Sequence, residues 1–106
     1  MARYLYIGSY TQAGIQGVLK DGGSGRREAV EALAKSVGGS LVDMYWGFGE
    51  DDFYVIADLP SQAAAAAVAS TTSAAGAASI RTIVLLTAED MDEVVKLHPA
   101  YRAPGA

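Results

Sequence analysis

Residues 41–58 read LVDMYWGFGEDDFYVIAD, and no other stretch limits the fold as tightly. Two runs rich in β-branched and aromatic residues flank the polar turn GEDD. That pattern predicts an antiparallel hairpin with strands over 41–48 and 53–58. Alternate side chains of a strand point to opposite faces of the sheet. Val42, Met44, Trp46, Phe48, Phe53, Val55 and Ala57 fall on one side. Asp43, Tyr45, Tyr54, Ile56 and Asp58 fall on the other. Neither set is solvent-like, so both sides of this hairpin need cover.

The rest of the chain supplies two more strands and several helices. Residues 3–10 alternate, with Leu5 and Ile7 on one side and Tyr4, Tyr6 and Tyr10 on the other. Thr11 can cap a short helix carrying Ile15, Val18 and Leu19. After a glycine-rich break, residues 26–37 have the spacing of an amphipathic helix, through Val30, Leu33 and Val37. Gly38 and Gly39 stop it. Residues 61–75 form an alanine-rich helix capped by Ser61 or Asp58, and residues 80–86 a fourth strand. Thr87, with Asp90 three residues on, caps a last helix over 88–97. The order is β-α-α-β-β-α-β-α. Its backbone predicts an α+β, ferredoxin-like split βαβ fold with a four-stranded antiparallel sheet and helices on one face. Residues 1–97 form a single domain, and residues 98–106, with two prolines, an irregular tail.

With 106 residues there is room for one domain. A domain of this size is marginal alone, and association helps it. A net charge of −4 argues against nucleic acid or an anionic membrane as partner. The chain has no cysteine, which removes disulfides and thiolate metal sites. No secretory signal and no apolar run of spanning length is seen, so a soluble cytoplasmic protein is expected.

Placing Leu5, Ile7, Ile80, Thr82 and Val84 with the greasier hairpin side makes the natural helix-packing face. The opposite face then gathers Tyr4, Tyr6, Tyr10, Asp43, Tyr45, Tyr54, Asp58 and Arg81, with Ile56, Ile83 and Leu85. Five tyrosines on a bare sheet exceed what a monomer normally exposes. A second copy is therefore expected over this face, giving a dimeric α+β barrel. The space between the sheets becomes a candidate ligand pocket. Within it, Arg81 opposite Asp43 or Asp58 reads as a cross-strand ion pair.

The glycine-rich stretch LKDGGSGRREA, residues 19–29, is read as a hinge between two helices. It follows a helix, and it lacks the lysine-serine or lysine-threonine pair of a phosphate loop. A lesser reading is an anion site at Lys20, Ser24, Arg26 and Arg27 beside a helix N-terminus. His98, the sole histidine, lies in the tail and joins the pocket only if the tail folds back. The GEDD turn reads as a solvated acidic loop, because calcium-loop spacing is missing. No cofactor and no metal site is expected, and no serine triad is expected either, because Ser9 and Ser24 have no histidine near them in sequence and the chain has only one.

Taken together, YLYIGSYTQAGIQGVLKDGGSGRREAVEALAKSVGG, YWGFGEDDFYVIADLP and TIVLLTAEDMDEVV make the chain resemble the GYD-domain family of small bacterial proteins. In the family's G-x-Y-D pattern Gly49 and Asp52 fit, while Asp51 stands where the tyrosine is usual, so no role of that tyrosine carries over. The resemblance implies a dimeric α+β barrel. Related barrels include cofactor-independent monooxygenases, haem enzymes and ligand-binding proteins. The expected function is a homo-oligomer binding a small aromatic or anionic ligand in a tyrosine-lined pocket. The alternatives are a cofactor-independent monooxygenase or isomerase on a phenolic or quinone-like substrate, and a structural subunit of a larger assembly.

Overall fold

A computed structural model describes residues 1–106. The elements are β1 (Ala2–Tyr10), α1 (Gln12–Ser36), β2 (Ser40–Trp46), β3 (Phe53–Leu59), α2 (Gln62–Ala74), β4 (Ala78–Leu85) and α3 (Ala88–Lys96). The four strands form one antiparallel sheet in the order β2-β3-β1-β4. The two halves of the split βαβ pattern place α1 and α2 over the same face, α1 against β2 and α2 against β4. The α+β ferredoxin-like arrangement read from the sequence is the one found.

Helix starts follow the capping residues. Thr11, Ser61 and Thr87 each have extended backbone and accept a hydrogen bond from the amide three residues on. At Thr87 the box is complete: Thr87 Oγ1 accepts from the Asp90 amide at 3.1 Å, and the Thr87 amide donates to Asp90 Oδ2 at 2.9 Å. The expected break between two helices is a kink inside one long element. Gly22 alone departs from helical geometry, with φ of 76°, which glycine adopts without steric cost.

The parity expected for β1 is reversed. Tyr4 pairs with Ala57, and Tyr6 with Val55, so these tyrosines share the helix-covered face with Met44. Tyr4 and Tyr6 are core residues, exposed by only 4% and 3%. Leu5 and Ile7, expected beneath the helices, sit on the open face beside Ile56 and Tyr54. Two features of the covered face favour this side for the tyrosines. The Tyr6 hydroxyl donates to the Ala65 carbonyl of α2 at 2.8 Å, which satisfies it where water is excluded. Gly8, on the same side of β1, leaves the Phe53 ring lying where a Cβ would stand. A bulge between Leu41 and Asp43 makes Val42 an extra, half-exposed residue, and Phe48 lies beyond β2, fully exposed in the turn.

The core runs through Tyr4, Tyr6, Met44, Phe53, Val55, Ala57 and the fully buried Leu59, closed by Ala34 of α1 and Ala65 of α2. Small residues on both helices let them approach the sheet closely. No helix is long and apolar enough to cross a membrane.

Candidate functional site

A cavity of about 80 Å³ lies between the covered face and the two helices. Met44, Phe53 and Val55 form its floor; Val30 and Leu33 of α1 and Val68 of α2 form its walls. Arg26 and Thr72 are its only lining residues that are not hydrophobic. The Thr72 hydroxyl is already engaged, donating to the Val68 carbonyl at 2.9 Å. The Tyr6 hydroxyl is engaged with Ala65 as described.

Tyr10 and Arg26 differ. The Tyr10 ring packs on Phe53 with centroids 4.8 Å apart, and its oxygen accepts from Trp46 Nε1 at 3.0 Å. Accepting the indole proton leaves its own O–H free to donate. Burial raises its pKa above the ordinary phenol value, with the Trp46 hydrogen bond and the Arg26 charge working against that rise. Arg26 is half-buried and stands 3.6 Å from Asp21, beyond good hydrogen-bond length, which leaves guanidinium donors unspent. The cavity is thus apolar along its length and carries two donors, a phenol and a cation. It offers no carboxylate and no imidazole. Burial pushes the Tyr6 phenol up to about 12, so it stays protonated and acts only as a donor.

The open face is a second, separate surface. Leu5, Ile7, Ile56 and Ile83 occupy its middle, and Tyr45 and Tyr54 lie beside Ile7 in register. Its charges are paired within the chain. Arg3 reaches Asp58 through two hydrogen bonds of 2.9 and 3.1 Å, which hold the carboxyl below its ordinary value. Asp43 accepts from the Tyr45 hydroxyl at 2.7 Å, from the Met44 amide and from Arg27 at 3.1 Å, and is likewise lowered. Arg81 pairs with Asp51 at 3.2 Å, not with Asp43 or Asp58 as expected. The turn is no free acidic loop either. Asp52 Oδ2 accepts from the Tyr10 amide at 2.8 Å, and the Asp52 amide donates to the Gly8 carbonyl at 2.8 Å. Asp52 therefore ties the hairpin end to the end of β1.

The expected site residues divide accordingly. Tyr6, Tyr10 and Arg26 meet at the cavity, and Tyr4 lies in the core beside them. Asp43, Tyr45, Tyr54, Asp58 and Arg81 lie on the opposite side of the sheet. Lys20 and Ser24 are exposed on α1, and Arg27 turns to Asp43, so the four residues of the anion reading do not converge. His98 is exposed beyond α3. Sequence reasoning missed the apolar walls as ligand-facing residues. Their signal is the spacing of Val30 with Leu33 and of Val68 with Thr72, which places each pair on one helix face.

A model of the GYD domain matches residues 4–95, which takes in most of β1, all of the other three strands and both packed helices. No curated protein and no solved structure was found to match the chain.

Proposed function

We propose, taking as premise that the chain belongs to the GYD-domain family, that it is a homodimeric binding protein for a small aromatic acid. The carrying observation is the cavity whose only polar groups with donors to spare are the Tyr10 hydroxyl and the Arg26 guanidinium, the latter paired with Asp21 at 3.6 Å. Such a site suits a flat apolar body with one anionic oxygen group: the ring against Phe53 and Val55, the carboxylate toward Arg26 and Tyr10. At about 80 Å³ it is below the roughly 300–1,000 Å³ of drug-sized pockets. That volume sets one ring as the upper limit, and even a ring needs the walls to give, since a cavity that holds benzene measures about 150 Å³. The lining has no proton acceptor placed for catalysis, which favours binding over turnover.

The open face supports the homodimer. Its middle is apolar, and its charges already have partners in the same chain. Covering it with a second copy therefore strands no lone charge, which would otherwise oppose association. The ligand and the partner use opposite sides of the sheet. Thermal-shift titration with benzoate and benzyl alcohol tests the site. Benzoate should raise the melting temperature by several degrees at saturating concentration, the alcohol much less. Arg26→Gln should weaken benzoate binding about tenfold or more. No shift with any ring acid, or a shift unchanged in Arg26→Gln, would overturn the assignment.

A further inference from the structure

The molecule is longer than its core requires. Its extents are 57, 32 and 22 Å, and its radius of gyration is 16.8 Å. A compact chain of this length has a radius near 13 Å. The excess comes from the C-terminal end. α3 follows β4 after only Leu86 and Thr87, every residue from Leu86 to Ala106 is exposed, and α3 makes no substantial contact with the sheet or with α1 or α2.

An exposed helix of nine residues is not self-sufficient. Isolated helices shorter than about 12–15 residues are marginal in water, and most helical stability in proteins comes from packing an apolar face. α3 has such a face. Ala88, Met91 and Val95 follow helical spacing with Val94 alongside, while Glu89, Asp90, Asp92, Glu93 and Lys96 fill the other side. Met91, Val94, Val95 and the following Leu97 are 45%, 45%, 64% and 70% exposed. The capping box at Thr87 fixes where the helix starts.

The open face supplies the reason for a second copy as occupant. Strands of about seven residues, spaced about 4.8 Å apart with about 3.4 Å per residue, give a four-stranded face of about 450 Å² in plan. A stable interface buries about 800 Å² per partner. The accessible surface of such a face exceeds its plan, yet it reaches only the low end of what such an interface buries. α3 leaves from the end of edge strand β4, directly beside Leu85 on that same face, which brings it within reach of a copy seated there.

We infer that α3 is an exchange arm, its Met91, Val94 and Val95 face packing on the body of a second copy, with the partner's arm returning the contact about the two-fold axis. This rests on the homodimer proposed above. The arm then contributes a large share of the affinity, and its acidic side stays in water.

Met91→Asp/Val95→Asp in the full chain tests it, because these side chains are exposed in the single copy and their replacement leaves the core untouched. Sedimentation equilibrium of the wild type and of the variant gives their dissociation constants. The inference predicts a wild-type dimer and a variant dissociation constant raised on the order of a hundredfold, with a far-UV spectrum that loses no more than the contribution of the nine-residue α3. A wild-type dimer matched by an equally tight variant dimer overturns the arm and leaves the sheet-face dimer standing. A wild type that is monomeric at every concentration overturns the dimer itself, and the arm with it. A second readout uses the lack of native cysteine. The Val95→Cys thiol should react slowly in the dimer and fast after dilution to monomer. Slow reaction in both would mean that the arm folds on its own body, and would overturn the exchange.

Discussion

The two faces of the sheet hold similar residue types and use them in opposite ways. On the covered side, the Tyr6 hydroxyl is spent on the Ala65 carbonyl, while the half-buried Tyr10 accepts from the Trp46 indole and keeps its own O–H to donate. On the open side, isoleucine and leucine fill the middle, and the charges are neutralised by partners in the same chain, as with Arg3 on Asp58 and Arg81 on Asp51. The covered face is finished within one chain and encloses a cavity. The open face has satisfied its polar groups; of its apolar ones Ile7 is already buried, while Leu5 and Ile56 are half-buried and Ile83 is exposed. A side chain's polarity therefore does not decide which face it takes; what decides is whether its polar atom finds a partner there.

The largest effect that separates the faces is truncation. Leu59→Ala, at a fully buried position, should cost about 2–5 kcal/mol in urea unfolding of the single copy, whereas Ile56→Ala should cost markedly less there. Equal losses at the two positions would mean that both faces are finished within one chain.

A smaller and sharper effect concerns Tyr6. Its folded pKa of about 12 exceeds the ordinary 10.0, so the native state favours the protonated phenol. The associated stability is fully present below pH 10 and is lost as pH rises through about 12. Tyr10 and Tyr45 are also raised, so an absorbance titration of the tyrosines should show several late-ionising phenols, the last of which disappears in Tyr6→Phe. The same variant should lose about 1 kcal/mol of stability at pH 7, from the hydrogen bond to Ala65.

Much of this architecture was legible in the residues. The hairpin about residues 49–52, the Thr11, Ser61 and Thr87 caps, and the order of strands and helices follow from alternation, turn chemistry and capping. The side taken by β1 does not. Alternation says that Tyr4, Tyr6 and Tyr10 lie together; it does not say which neighbouring set they join. Because the period is two, a one-residue change in pairing inverts the whole strand. Both of its sides are apolar enough to be buried, so hydrophobicity could not arbitrate. Gly8 opposite Phe53 was the local clue, since only one parity puts that ring across a residue without a Cβ. The cavity was half legible: Arg26 and the tyrosines were in view, but their meeting depends on that parity and on the kink at Gly22. The roles of Asp51 and Asp52 were hidden for another reason. Their partners, Arg81 and Tyr10, are 30 and 42 residues away in sequence.

The central claim is that the open face of the sheet is covered by a second copy of the chain. Light scattering on the purified chain, followed over a dilution series, tests it most directly. The account predicts twice the chain mass at micromolar concentration, falling to the single mass in Ile56→Lys with its circular dichroism retained. A well-folded wild-type chain of single mass at every concentration would contradict it.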